Sequence, residues 1–250
     1  MTGRRSLREH LYDGVLPPDQ SSFESRLAYV EERIQRALLL AGRSRSDLTL
    51  VAVSKKFSPE NILIAYGCGL RHFGENYVQE FAGKRPQLHE MQGATYHLIG
   101  HLQSNKVRLA TELFDVIQTV DSPKLVRRLN DFAREQVKRV EVLLEIKLCD
   151  EESKSGIGAE VIPSILEAAA DCQNVKVTGL MTIPPFSENA ENSRPYFQKL
   201  AALGRQYKLP KLSMGMSADF EIAIQEGATA IRVGTALFGR RPRPDGSPRQ

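Results

Sequence analysis

The spacing of apolar positions along this chain changes repeatedly. From Ser22 onward, Phe23, Leu27, Val30, Ile34, Ala37, Leu38 and Ala41 recur at helical spacing with Arg and Glu between them, and Gly42 supplies a stop. The pattern then switches to a continuous apolar run from Leu48 to Val53, the composition of a strand buried on both faces. Beyond it the two patterns alternate. Further strands are predicted at 70–74, 95–100, 114–120, 140–148, 175–181, 210–215 and 229–234. Helices are predicted between them: one opening at Ser58-Pro59-Glu60, then across 75–88, across 101–113, from Asp121 to about 137, near 159–172, near 188–207, and from Ser217 through Glu226.

Eight strand–helix alternations imply a parallel sheet, because parallel neighbours need crossover helices. Eight is also the number that closes a (β/α)8 barrel. A doubly wound open sheet is the competing arrangement, but it usually has fewer strands. Neither GxGxxG after a strand nor GxxxxGK[ST] occurs, so both common nucleotide fingerprints are missing. The expectation is an α/β fold of one TIM barrel over 22–240, with an extra N-terminal helix and no second domain. Residues 1–21 read as a loosely held extension, and 241–250, with Arg241, Arg243 and Arg249, as a solvated basic tail.

Composition narrows the partners. The 250 residues are 41% hydrophobic and 26% charged, an ordinary globular balance. No apolar run approaches the roughly 18 residues that span a bilayer, and no secretory signal pattern appears, so no membrane partner is expected. The net charge of +4 is small and its excess lies in the tail, which argues against nucleic acid. Cys68, Cys149 and Cys172 are widely spaced, without a CxxC pair, and read as free thiols of a cytoplasmic protein.

In such a barrel the chemistry gathers at the C-terminal ends of the strands. Lys55 follows the first strand with only Ser54 between. Its stem can lie on the sheet while the amine faces a pocket, where desolvation makes it a usable nucleophile toward carbonyls. The plain alternative is that Lys55 and Lys56 begin a solvated loop. Glu75 and Asn76 end the second strand, Met181 and Thr182 the sixth, and Ser213 to Ser217 the seventh. Ser217 at a helix start and the turn Gly234-Thr235 form a candidate phosphate cradle, although each alone is equally an ordinary cap or turn. Arg232, near the end of the eighth strand, either pairs with an acidic neighbour or meets a ligand. A lysine and a phosphate cradle on one barrel mouth suit a phosphorylated aldehyde, through a Schiff-base aldolase or a bound pyridoxal 5′-phosphate. Glu75 reads as a first-turn helix acid, and His97 with His101 shows no third metal ligand.

As a set, VAVSKK (51–56), FGENYVQE (73–80), HLIGHLQSNK (97–106), KSGIG (154–158), GLMTI (179–183), LSMGMSADFEIAI (212–224) and IRVGTALFG (231–239) resemble the pyridoxal phosphate homeostasis protein family. The resemblance runs from about Ser22 to Arg240. It implies a fold-type III barrel like the N-terminal domain of alanine racemase. It implies that Lys55 holds pyridoxal 5′-phosphate as a Schiff base, that Ser217, Gly234 and Thr235 hold the phosphate, and that Arg232 faces the pyridine nitrogen. Asn76 and Met181 would lie beside the ring and Ser213 near the phosphate. The family commonly continues its lysine motif with Thr-Lys-Pro, whereas here Lys56-Phe57-Ser58-Pro59 follows. The function implied is intracellular cofactor homeostasis, holding and releasing the cofactor without robust catalysis. Apo-enzymes are candidate recipients, and the expected state is a monomer or weak dimer. A weak amino-acid racemase is the alternative, and the sequence offers no second acid–base group opposite Lys55 to support it.

Overall fold

The computed structural model describes residues 22–149 and 155–239. Both the expected extension 1–21 and the tail 241–250 lie outside the described residues, as does Lys154. The first helix, α1 (Phe23–Leu40), starts where Ser22 accepts a hydrogen bond from the Ser25 N–H. Then follow β1 (Thr49–Val53), α2 (Pro59–Gly67), β2 (His72–Glu75), α3 (Val78–Lys84), β3 (Thr95–Leu98), α4 (Val107–Leu113), β4 (Val116–Val120) and α5 (Pro123–Glu135). The second half contains β5 (Val140–Glu145), α6 (Ile162–Ala170), β6 (Val175–Met181), α7 (Arg194–Gln206), β7 (Lys211–Ser213), α8 (Phe220–Gln225), β8 (Ala230–Val233) and a short α9 (Thr235–Phe238). Among the described residues, no helix is long and apolar enough to cross a membrane.

The eight strands form one closed barrel in sequence order, with β1 pairing in parallel to both β2 and β8. This is the (β/α)8 barrel that the alternating pattern predicts. The main apolar core lies between the outer faces of the strands and the helices, with Leu50, Ala52, Phe73, Leu98, Ile117, Leu144, Leu180, Ile231 and Val233 contributed by the sheet. A much smaller cluster, Val116, Leu143 and Met181, is separate from it and lies within the barrel. The extra helix α1 packs on α8 and α9, through the Phe23–Phe238 ring pair at 5.3 Å and an Arg33–Glu221 ion pair at 2.6 Å. It therefore braces the last βα unit from outside.

Several elements are shorter than their apolar patterns suggest. The fifth strand stops at Glu145, not Leu148, because Gly156 (φ +109°) lets a returning segment take over the pairing: Ile157 N–H donates to Glu145 O, and Lys147 N–H to Ile157 O. Likewise β7 ends at Ser213 because Gly215 turns away at φ +92°. Glu75 proves to be the last residue of β2 and not the first of a helix, and α3 yields to a 3-10 turn at Arg85–Leu88, where Pro86 ends the α-helical hydrogen bonding.

One close approach fixes the mouth between β2 and β3. A Cβ on Gly100 would stand 2.3 Å from Asn76 O, so only glycine lets the two strand ends meet. Gly100→Ala should destabilise the protein by about 1–3 kcal/mol, the range for overpacking. Urea unfolding checks this, and an unchanged midpoint would show that the Asn76 backbone is free to move.

Candidate functional site

At the end of β1, Ser54 N–H still donates to Gly74 O (3.0 Å), and Phe57 N–H then donates to Ser54 O (3.0 Å), closing a tight turn around Lys55 and Lys56. Lys56 occupies the left-handed region, φ +64°, a strained choice for a residue with a Cβ. The turn sends the two lysines into different surroundings: Lys55 is half-buried, Lys56 exposed. Beneath the turn lies a buried charge cluster. Glu75 Oε1 accepts from Ser54 Oγ (2.8 Å) and Lys84 Nζ (2.9 Å). Lys84 also donates to Ser54 O (3.1 Å) and pairs with Glu80 (2.6 Å), whose Oε1 receives the Lys56 N–H (2.5 Å). The expectation that Glu75 decorates a helix start is thus corrected: it is fully buried and braces the lysine turn. Burial pushes its carboxyl up, and Lys84 opposes that shift.

Arg232 points into the barrel and is 3% exposed. Its Nη1 donates to Ser213 Oγ (2.6 Å) and its Nη2 to Thr182 O (2.9 Å). No ion pair to it occurs among the described residues, so the acidic-partner alternative is not realised as a direct contact. Burial lowers Arg232 to about 10, while Asp219 and Glu145 pull it back upward. Ser213 Oγ in turn donates to Gln118 Oε1 (2.6 Å), and Gln118 Nε2 bonds His97 Nδ1 (3.0 Å). His97 Nε2 and His72 Nδ1 share a further hydrogen bond (3.0 Å). His97 is therefore an interior structural histidine, while His101 is exposed at the mouth. Among the described residues, no group of three or more His, Cys, Asp or Glu could hold a metal ion.

The segments expected to form a phosphate cradle lie on two adjacent loops, and Ser217, expected to open a helix, stands instead in the loop before α8, whose cap residue is Asp219 because the chain first turns at Gly215. Ala236 N–H donates to Ser217 Oγ (3.4 Å), so Ser217 stands against the turn that Gly234 and Thr235 begin. Asp219 braces the loop, accepting from Met216 N–H (2.7 Å) and Ser193 Oγ (2.8 Å). Gly215 is obligatory there, because a Cβ would stand 2.5 Å from the Ala223 Cβ. Asn76 ends up next to the lysine turn, at the neighbouring strand end. Its Oδ1, like Glu75 Oε2, is buried without a partner. Met181 is fully buried beside Val116 and Leu143, in register with Ser213.

One titratable group escapes the sequence prediction. Glu145, the last residue of β5, is 6% exposed and in register with Met181. Burial raises its carboxyl to about 7, against the attraction of Arg232 and with a small push from Asp121. A glutamate inside the apolar run VEVLLEI was the available signal: alternation puts Glu141, Leu143 and Glu145 on one face, and strand 5 of eight lies across the ring from strand 1. Gln118 left no comparable trace, since its partners Ser213 and His97 lie far along the chain, and Thr182, read as a strand end, meets Arg232 through its backbone carbonyl.

The chain matches the model of the alanine racemase N-terminal domain over residues 33–242. It is 44% identical over 222 residues to the pyridoxal phosphate homeostasis protein of Aquifex aeolicus, covering 86% of this chain and 97% of that one. Its counterpart in Escherichia coli K12 is 41% identical over 222 residues, with 86% and 95% covered. The solved structure of PipY from Synechococcus elongatus with PLP bound superposes with a TM-score of 0.76 at 37% identity, over 87% of this chain and all of that one. Alanine racemase of Clostridium difficile, at 13% identity and TM-score 0.66 over 88% of this chain and 59% of its own, shares the fold.

Glu145 makes stability pH-dependent in a definite direction. Its folded value is raised to about 7 from 4.5, so between these values the folded state holds a proton that the unfolded state releases. The ionisation penalty is absent below about pH 4.5 and grows, with stability falling, as pH rises to about 7. Glu145→Gln removes the penalty and should stabilise the protein by roughly 3 kcal/mol above pH 7, with no gain at pH 4. Urea midpoints at both pH values measure it, and an equal effect at the two would place the origin elsewhere.

Proposed function

The chain belongs to the alanine racemase N-terminal domain family and, within it, to the pyridoxal phosphate homeostasis proteins, and from that membership we propose that it binds pyridoxal 5′-phosphate and serves to hold and release it inside the cell. The cofactor is attached covalently through its aldehyde to the Lys55 amine. Ser217 with the Gly234-Thr235 turn takes the phosphate, Arg232 meets the pyridine nitrogen, Asn76 and Met181 flank the ring, and Ser213, expected near the phosphate, orients the arginine instead, because its buried hydroxyl is engaged by Arg232 and Gln118. The residues present fit such a group. Asn76 Oδ1 is a buried oxygen without a partner, and the loops carrying Ser217 and Gly234-Thr235 meet at the same mouth, which supports an anion site there. Pyridoxal 5′-phosphate supplies an electron sink for the carbon attached to a bound amine nitrogen.

The observation that carries the reading is Arg232. A guanidinium cannot accept a proton transferred from a ring nitrogen, and its positive charge disfavours protonation there. The site thus favours retaining the cofactor over activating it. A second reading, a weak amino-acid racemase, is favoured by Glu145, a near-neutral carboxyl across the barrel from β1. Apo-enzymes are the proposed recipients of released cofactor.

Three measurements test this. Borohydride reduction followed by peptide mapping should label Lys55, and Lys55→Ala should abolish the bound-cofactor absorption band while Lys56→Ala retains it. Labelling of Lys56 would reverse the assignment. Ser217→Ala should weaken pyridoxal 5′-phosphate by roughly 1–3 kcal/mol, the range for a hydrogen bond to a charged group, and leave pyridoxal unaffected. Equal losses for both aldehydes would move the phosphate site. Finally, holo-protein incubated with L- or D-alanine should show no inversion above background. Inversion at about 1–10³ per second, lost in Glu145→Gln, would establish the racemase.

A further inference from the structure

The interior of this barrel holds a continuous polar chain, Arg232–Ser213–Gln118–His97–His72, that crosses from β8 and β7 to β4, β3 and β2. All members but His72 are buried. An arginine can only donate, so Ser213 must accept at the first link, and the Gln118 amide, with Oε1 toward Ser213 and Nε2 toward His97, carries the direction onward. Ser213 Oγ accepts from Arg232 at 2.6 Å and donates its O–H to Gln118 Oε1 at 2.6 Å. The Gln118 amide then presents Nε2–H to His97 Nδ1 at 3.0 Å. His97 must carry its single proton on Nε2 and donate it to His72 Nδ1 at 3.0 Å. Burial holds His97 down at about 3, so the ring stays neutral and cannot reverse the order by taking a second proton.

We infer that Gln118 and His97 are positioning residues of the cofactor pocket, fixing through Ser213 the direction in which the Arg232 guanidinium presents its remaining N–H groups to the ring of the ligand. The inference rests on the proposed role of Arg232 and adds the residues that aim it. Without the acceptor at Gln118, the Ser213 hydroxyl is free to rotate, and its lone pairs are no longer held toward the guanidinium, which loosens the contact that fixes its plane. Thr182 O alone leaves it one anchor.

The test compares pyridoxal 5′-phosphate with its 1-deaza analogue, in which a C–H replaces the ring nitrogen. The wild-type protein should prefer the natural cofactor. Gln118→Met and His97→Leu should shrink that preference by roughly three- to tenfold, the change carried by one neutral hydrogen bond, by weakening the natural cofactor alone. His97→Gln, which can still accept from Gln118 and donate to His72, should restore it. In parallel, ¹⁵N-histidine spectra of the wild-type protein without ligand should show His97 and His72 as Nε2–H tautomers. An Nδ1–H tautomer at His97, or equal losses for the two ligands, or no change in any variant, would overturn the inference. Failure of the wild-type protein to bind either ligand would overturn the pocket reading itself, and the spectra would still report whether the chain runs in this direction.

Discussion

A guanidinium is buried inside the barrel with no ion-pair partner among the described residues, and much of the interior follows from satisfying it. Burying a charge is costly unless its protons find acceptors. Arg232 meets that demand with a serine hydroxyl and a backbone carbonyl, both from strand ends beside its own. The serine then needs an acceptor, and so does each group after it. Barrel interiors are ordinarily filled by layers of branched apolar side chains. Here apolar side chains such as Val51, Val53, Val116, Leu143 and Met181 share the interior with a hydrogen-bonded chain. The same positive charge tempers the ionisation cost of Glu145, which burial raises toward neutrality.

A second buried charge cluster does separate work under the lysine turn. Glu75, Lys84 and Glu80 link the last residue of β2 to the helix that follows it and to the backbone on both sides of Lys55. Such clusters are weak sources of net stability but are costly to break. Their effect is geometric: they hold Lys56 in a left-handed turn and direct it outward, leaving Lys55 half-buried. Lys55, Arg232 and the loops of Ser217 and Gly234 are thus braced by independent networks on different parts of the ring. A mouth built this way is rigid before any ligand arrives, which lowers the ordering cost of binding.

The architecture was legible because a barrel repeats one local rule. Each apolar run of four to seven residues followed by a helical period needs no distant information, and the order of the strands follows from the crossover requirement. The ends of elements were less legible. The fifth strand was expected to reach Leu148 and stops at Glu145, because Ile157 competes for its hydrogen bonds from twelve residues away. Glu75 looked like the opening of a helix and is a buried strand end, since its partner Lys84 arrives only after α3 has turned back.

By itself, the sequence determined the strand–helix alternation, the closing number of eight, the placement of Lys55, Asn76, Met181, Ser213, Arg232, Gly234 and Thr235 at or beside strand ends, and the family resemblance carried by its motifs, but not that Ser217 would stand in a loop short of its helix. Periodicity and strand-end placement are properties of neighbours in the chain, so they can be read locally. Only the tertiary structure decided which of these residues touch: Arg232 with Ser213, and Ser217 with the turn after Gly234. It also decided the environment of Glu145 and the path from Ser213 through Gln118 to His97, which joins residues up to 95 positions apart. Hydrogen bonds and desolvation act through distances of a few ångströms, and barrel closure alone brings those atoms within reach.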